Sequence, residues 1–397
     1  MNLLVISHAC AAADNRQLFA AIRERTGWRL TLVTPARWRD EFGNILDAPA
    51  RPGSGLQLVK APVFCNGNII LHFYRTDWPA FLGEGRFDAI YVHHEPYALA
   101  TAQVAWANFI GPRIPLGFYS CQNIAKRYPP PFRWLESFVY RQSRFAFPVT
   151  DTVAGVLRGK GFDGEITVCP LPIDPRSYLP GPASRRPAAL RRARGECILG
   201  YVGRLVPAKG LVTLASALGK LKDLNWKFAL VGAGPFAPEF ARLLEEQGVG
   251  DRLIDAGFVP HAEVPAYLSA LDLLVVPSET QTNWKEQFGR VILEALACGT
   301  PVAGSDSGEI PNFLRRSGGG LIFPEKDPEA LANVLRRMIQ QPALGRDMAA
   351  AGRTWVLQNA ALSTVAERIA SALERAVSQR RAPLLSYCES HANSLPR

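Results

Sequence analysis

The stretch SETQTNWKEQFGRVILEALACGTPVAGSDSGEIP, residues 278–311, sets a carboxylate inside an apolar helix between two loops suited to an anion. The apolar run Leu273–Val276 before it reads as a strand that Pro277 ends, and a polar loop carrying Glu286 follows. Gly289 then opens a helix that Gly299 and Pro301 close. Within it Val291, Ile292, Leu293, Ala295, Leu296, Ala297 and Cys298 cover every direction of the helical wheel, the pattern of a buried helix. Glu294 lies among them. A carboxylate there needs a partner, because burial without one is costly: either a structural ion pair or a ligand with hydroxyls or positive charge. Glu286 stands eight residues earlier, so one carboxylate falls at the helix mouth and the other about two turns along. Between them the amides of Phe288 and Gly289 lie at or near the helix N-terminus, where N–H groups and the macrodipole favour a phosphate.

Outward from this stretch, strand-like runs alternate with helical ones in both directions. Towards the N-terminus lie strands Ile198–Val202, Lys227–Val231 and Leu253–Phe258, with helices Leu211–Lys220, Ala237–Gln247 and Glu263–Ala270 between and after them. Beyond the stretch come strands Pro301–Ala303 and Gly320–Phe323, then helices Pro328–Gln340 and Ala360–Gln379. The first half repeats the pattern with strands at Leu3–Ser7, Arg29–Thr34, Asn68–Phe73, Asp88–His93, Ile114–Phe118 and Phe145–Val149. Helices are expected at Asn15–Arg25, Tyr97–Phe109, Phe132–Gln142 and Asp151–Lys160. Such alternation predicts an α/β chain of two doubly wound, largely parallel domains facing each other. The expected boundaries are 1–172 for the first domain, a Pro- and Arg-rich linker at 173–196, and 197–358 for the second. A helix over 359–379 is expected to pack back toward the first domain, ahead of a loose tail at 380–397.

At 397 residues and 48% hydrophobic, the chain is long enough for two sizeable cores, as expected of a soluble globular protein. Its net charge of +10 favours anionic partners: nucleotides, acidic lipid headgroups or nucleic acid. A merely basic surface would look the same. Seven cysteines, scattered, odd in number and never in a CxxC pair, suit a reducing cytosol and give no disulfide framework or cysteine-rich metal site. The start MNLLVISHA lacks the basic opening of a signal peptide and reads as a first buried strand. The apolar stretch Tyr97–Ile110 is too short to span a bilayer. A cytoplasmic location is expected.

Several loops follow strands, where open α/β sheets hold ligands. In Gly203-Arg204-Leu205-Val206-Pro207-Ala208-Lys209-Gly210, glycines flank two cations, and a diphosphate would suit the loop. Surface charges flanking a turn are the plainer alternative. Gly232-Ala233-Gly234 with Ala237 completes G-x-G-x-x-A after a strand, the dinucleotide fingerprint, but Pro235 interrupts it. It leaves an oxidoreductase open as a rival. A nucleic-acid-binding module is a second rival, without a helix-turn-helix, zinc or RNP pattern to support it.

The runs GRLVPAKG, VGAGP, AGFVPHAEVPAYLSALDLLVVPS and EQFGRVILEALACGTPVAGSDSGEIP resemble, in order and spacing, the C-terminal domain of the retaining glycosyltransferases of family 4. These are glycosyl transferases group 1, with the GT-B fold of two facing Rossmann-like domains and a cleft between them. The resemblance covers most of residues 198–340 and implies a metal-independent hexosyl transfer needing no cofactor. Carried over, it gives Arg204 and Lys209 the diphosphate of a nucleoside diphosphate sugar, and Glu294 the ribose hydroxyls. Glu286 would contact the transferred sugar or support charge at its anomeric carbon. Phe288 and Gly289 would offer amides, and Gly203, Gly232, Gly234 and Val259 complete the implied donor set. The first half matches less closely. Its first loop, Ser7–Ala13, lacks the glycine pair common in the family, and Gln122 or a neighbour stands where a histidine is common. Asn15, Arg16, Glu95, Gln122, Asn123 and Lys126 are the candidate acceptor contacts, His93 being as well explained by the core. The implied acceptor is a glycan or lipid-linked molecule of an envelope pathway. In AKRYPPPFRWLESFVYRQSRF, residues 125–145, cations and aromatics interleave, which suits core packing with an anionic membrane surface as the further reading.

Overall fold

The computed structural model of the protein describes residues 1–40, 43–49, 55–181 and 186–381. It divides into two compact units. One comprises Met1–Cys121, Ala125–Cys169 and the chain from Ala366 onward; the other comprises Gln122–Ile124 and Pro170–Val365.

The first unit is built on a seven-stranded parallel sheet. Its strands are β1 (Asn2–Ile6), β2 (Arg29–Pro35), β3 (Gln57–Ala61), β4 (Ala89–Val92), β5 (Leu116–Ser120), β6 (Phe145–Pro148) and β7 (Glu165–Ile166). The spatial order is 7-6-5-4-1-2-3, so the winding direction reverses between β1 and β4. Leu3, Leu4, Val5 and Ile6 of β1 are all fully buried, which explains why the strand reads as an unbroken apolar run. Burying each such side chain contributes about 1.5–3 kcal/mol. Helices α1 (Gln17–Thr26), α2 (Trp78–Gly85), α3 (Leu99–Ile110), α4 (Phe132–Gln142) and α5 (Asp151–Gly159) connect the strands. Their ends follow local chemistry. Gly27 closes α1 in the left-handed region, Asp77 caps α2 through Ala80 N at 3.2 Å, and Thr150 caps α5 through Val153 N at 3.3 Å.

The second unit repeats the design with six parallel strands. These are β8 (Cys197–Val202), β9 (Trp226–Val231), β10 (Leu253–Gly257), β11 (Leu273–Val276), β12 (Val302–Ser305) and β13 (Gly320–Phe323), in the order 10-9-8-11-12-13. Here the reversal falls between β8 and β11. Helices α6 (Leu211–Gly219), α7 (Ala237–Glu246), α8 (Val264–Leu268), α9 (Arg290–Ala297), α10 (Ile310–Ser317), α11 (Pro328–Gln340) and α12 (Pro342–Asn359) complete it. A last helix, α13 (Leu362–Arg381), begins in this unit and from Ala366 belongs to the first.

Three features depart from the sequence reading. Asn68–Phe73, expected as a strand, is mostly a turn, because the Asn68 side chain accepts from Ile70 N at 3.0 Å and Leu71 N at 2.9 Å. Only Phe73–Tyr74 pairs, antiparallel to Val63–Phe64. Strands β3 and β7 and helices α2, α10 and α12 were not expected; β7 is only two residues long, and the QLVKA of β3 is too mixed in polarity to announce a strand. The described part of residues 173–196 lies in the second unit. Ile173 bridges to Ala361, Leu190 is fully buried, and Arg192 pairs with Asp272 at 2.6 Å. Of the expected tail, residues 382–397 lie outside the described residues.

Backbone contact between the loops after β8 and β9 makes one glycine irreplaceable. At Gly232, φ is +140°, and a Cβ would stand 1.9 Å from Gly203 O. Gly232→Ala is therefore expected to cost about 2 kcal/mol or more and lower the melting temperature. Gly155→Ala, inside α5 with nothing within 4 Å of its added Cβ, is expected to raise stability by about 0.5–1 kcal/mol. Thermal unfolding of the two variants beside the wild type checks both signs.

Candidate active site

In doubly wound sheets the ligand crevice opens at the carboxyl ends of the strands where winding reverses. In the second unit these are β8 and β11, and the loops leaving them are Gly203–Lys209 and Ser278–Glu286. The two are bound to each other. Glu279 N donates to Ala208 O at 2.9 Å and Thr213 Oγ1 to Glu279 Oε1 at 2.7 Å. Gly210, φ +67°, lies so close that a Cβ there would be 1.9 Å from Pro277 O.

At this meeting point Lys209 Nζ is 2.6 Å from Glu286 Oε2, with both side chains largely buried. Ser278 Oγ donates to the same oxygen at 2.8 Å, and the Lys209 ammonium stands 4.8 Å from the centroid of the Trp284 ring. The Glu286 backbone is held as firmly. Its carbonyl accepts from Glu309 N at 3.1 Å and from Asn123 Nδ2 at 2.8 Å, and Gly308 packs its backbone directly on it. Arg204, the other cation of the first loop, is exposed.

Glu294, 5% exposed, has two side-chain partners on one oxygen, of which the ion pair was foreseen. Arg290 Nε lies 2.9 Å from Oε1, one helical turn away, and the Tyr178 hydroxyl donates to Oε1 at 3.1 Å. Tyr178 also lies 3.0 Å from His261 Nε2, and burial followed by the Glu294 charge pushes its hydroxyl pKa up. Gly289 precedes α9 at φ +64° with no side chain capping the helix, and Phe288 is buried against Phe313. Val259 is buried after β10, while Gly203, Gly232 and Gly234 form the interlocked turns after β8 and β9. The donor candidates thus converge on loops after strands of one sheet.

Sequence reading passed over Tyr178, Ser278 and His261 as partners. Tyr178 sits in the stretch taken for a linker, so nothing local linked it to Glu294. Glu309 was noted only as the end of a loop. It is 2% exposed, and its Oε1 has no hydrogen-bond partner among the described residues. Its sequence signal is an acid just ahead of the apolar positions Ile310, Pro311, Phe313 and Leu314, whereas Glu294 stands inside its helix.

The acceptor candidates are placed differently. Arg16 is buried and donates to the carbonyls of Cys10 at 2.7 Å, Pro49 at 2.5 Å and Ala11 at 3.2 Å, bracing the loop after β1. Asn15 Nδ2 donates to Ala9 O at 2.7 Å. Glu95, after β4, accepts from Ser120 Oγ and Cys121 N, each at 2.7 Å; burial raises its pKa against the pull of those bonds. His93 stacks on Tyr119 with centroids 4.3 Å apart, and burial pushes its pKa down to about 4. Gln122 and Asn123 are buried and belong to the second unit, and Lys126 is half-buried.

Known proteins resemble this chain in sequence and fold. Residues 185–355 match the family model described as glycosyl transferases group 1. A 2-deoxystreptamine glucosyltransferase of Streptomyces kanamyceticus is 27% identical over 77% of this chain and 80% of its own. A GDP-mannose-dependent alpha-(1-6)-phosphatidylinositol monomannoside mannosyltransferase of Mycolicibacterium smegmatis is 29% identical over 51% of this chain, a match spanning 54% of that protein. Among solved structures, the Anabaena protein HepE in complex with UDP has a TM-score of 0.71 at 19% identity, covering 94% of this chain and 100% of that one. The fold is the GT-B fold of two Rossmann-like domains, and the sequence similarity is to glycosyltransferases. Over residues 185–355 the chain is similar to the group 1 glycosyl transferases.

The Lys209–Glu286 pair determines what loss of the lysine does. Lys209→Met leaves a largely buried carboxylate with no cation and is expected to destabilise by about 3–5 kcal/mol. Adding Glu286→Gln removes the uncompensated charge, so the double variant is expected to melt above the single Lys209→Met variant. A four-member thermal-unfolding cycle measures the coupling.

Proposed function

We propose that the protein is a retaining glycosyltransferase of family 4, moving a hexosyl group from a UDP- or GDP-sugar to a glycan or lipid-linked acceptor in envelope glycan assembly. The observation that carries this reading is the Lys209–Glu286–Ser278 constellation at the point where the second sheet reverses, with Glu294 seated in the following helix. Similarity to a protein solved with UDP, and to one named for GDP-mannose, supports a nucleoside diphosphate sugar as donor.

On this reading Lys209, Arg204 and the N-terminus of α9 meet the diphosphate charge, and the donor reaction needs no metal ion. Glu294 accepts from the ribose hydroxyls through the oxygen that Arg290 and Tyr178 do not occupy. Glu286 faces the transferred sugar, where its carboxylate supports positive charge as the anomeric bond to phosphate breaks. The acceptor hydroxyl attacks from the same face, and its proton passes to the departing phosphate oxygen, so configuration is retained without a dedicated base.

Lipid-linked acceptors would bring the protein to a membrane surface from the cytoplasmic side. No described helix is long and apolar enough to cross one. In the first unit, however, Trp106, Ile110 and Trp134 are each more than half exposed on α3 and α4. Arg133 stands on α4 and Arg113 follows the end of α3, the mix of aromatic, aliphatic and basic side chains that an anionic lipid surface accepts.

Steady-state kinetics separate the two carboxylates. Glu294→Gln is expected to raise the donor KM with little change in kcat, a uniform-binding loss. Glu286→Gln is expected to lower kcat by about 100-fold, because its contact strengthens only in the transition state. If neither variant changes transfer from any UDP- or GDP-sugar, the constellation is structural and the donor assignment fails.

Lipid contact has its own measurement. The protein is expected to co-sediment with anionic vesicles at low salt and to release as the Debye length falls below about 8 Å. Trp106→Ser with Trp134→Ser should weaken that binding. Equal binding to neutral and anionic vesicles would remove the proposed surface.

A further inference from the structure

We propose that His8, His72 and His94 form a binding site for one transition-metal ion of the Zn2+ class within the first unit. The inference is independent of the donor assignment, whose residues lie in the second unit.

The three side chains meet where a ligand site is expected. His8 follows β1 by two residues and His94 follows β4 by two, and the register pairs Ile6 with Val92. Both histidines therefore leave adjacent parallel strands at the same height, at the point where winding of the first sheet reverses. His72 reaches them from the turn that ends at Phe73. One ring nitrogen from each of the three lies within 4.8 Å of the others. His8 Nδ1 and His94 Nδ1 are 2.7 Å apart, and the ring centroids stand 4.6–5.2 Å from one another. A tetrahedral ion bonded at about 2.0–2.1 Å holds its nitrogens roughly 3.3 Å apart, so small side-chain movements close the set.

His72 carries the second, independent observation. It is fully buried, and its Nδ1 lies 3.0 Å from Asn68 O and 3.1 Å from Ile69 O. Both oxygens only accept, so Nδ1 holds the proton and Nε2 presents a bare lone pair. That Nε2 is buried and has no hydrogen-bond partner among the described residues. A ring anchored by N–H to a backbone carbonyl, with its other nitrogen turned to a cluster of imidazoles, is how metal-binding histidines are oriented.

The cluster's chemistry selects the ion. Three neutral imidazoles with no carboxylate or thiolate among them suit Zn2+, Ni2+ or Cu2+ and not Mg2+ or Ca2+. His8 is the half-buried member, so a fourth position is open on its side for water or an incoming ligand. Bound there, the ion would tie the turn at 68–72 to the two strand ends.

The test uses the full chain without a polyhistidine tag, stripped with chelator and titrated near neutral pH with Zn2+ against a chromophoric chelator, and with Co2+ by absorption. One equivalent of Zn2+ is expected, with a tetrahedral Co2+ spectrum lacking thiolate charge transfer. His8→Asn and His72→Gln are each expected to weaken uptake at least tenfold, and Zn2+ should raise the melting temperature of the wild type alone. Failure of the stripped wild type to take up a stoichiometric ion overturns the proposal, without reference to any variant. So does uptake undiminished in both variants, or a Co2+ spectrum dominated by thiolate.

Discussion

Glu286 is held at both of its ends, and the second unit's loops are arranged by that double constraint. Its carboxylate is fixed by Lys209 and Ser278, from the loops after β8 and β11. Its carbonyl is fixed by Glu309 N and by the backbone of Gly308, from the loop after β12. Three segments distant in sequence are thereby registered to one residue. Removing Lys209 leaves a largely buried carboxylate without a cation, which costs more than the loss of a surface contact, whereas the carbonyl has a second donor in Asn123 Nδ2.

The constraint explains why glycines recur at these loops. Gly210, Gly232 and Gly308 each bring backbone within 2.0 Å of where a Cβ would sit, against Pro277 O, Gly203 O and Glu286 O. The G-x-G-x-x-A turn is accounted for by that packing: Gly232 and Gly234 let the β9 loop lie on the β8 loop. As an argument for a nicotinamide cofactor, the same glycines add nothing further.

Most strand positions were legible because parallel strands buried on both faces read as apolar runs, as in Leu273–Val276 and Leu3–Ile6. Glu294 was legible for the converse reason, a charge standing out in an apolar helix. What pairs with it was not. Tyr178 lies 116 residues away, in a stretch whose prolines and arginines suggested a linker. Edge elements were lost as well: β3 pairs on one side only, and its mixed polarity carries no alternation to read. The turn at Asn68 defeated an apolar run through one side-chain oxygen accepting two amides. His72, His8 and His94 were invisible as a set because only the fold brings position 72 beside positions 8 and 94.

The pairing of Lys209 with Glu286 bears on how a diphosphate would bind. A cation already 2.6 Å from a carboxylate is not free to be transferred to a phosphate, since the largely buried carboxylate would be left alone. An ammonium has three donors and no acceptor, so Lys209 can meet a phosphate oxygen while keeping its bond to Oε2. Ser278 then matters, because its hydroxyl keeps Oε2 hydrogen-bonded as Lys209 is shared. On the proposed reading the carboxylate is in turn kept oriented beside the sugar, with Glu286 Oε1 left to face it. The ion pair is in this way both the fastening of three loops and, on the proposed reading, the means by which one lysine serves a diphosphate and a developing positive charge together.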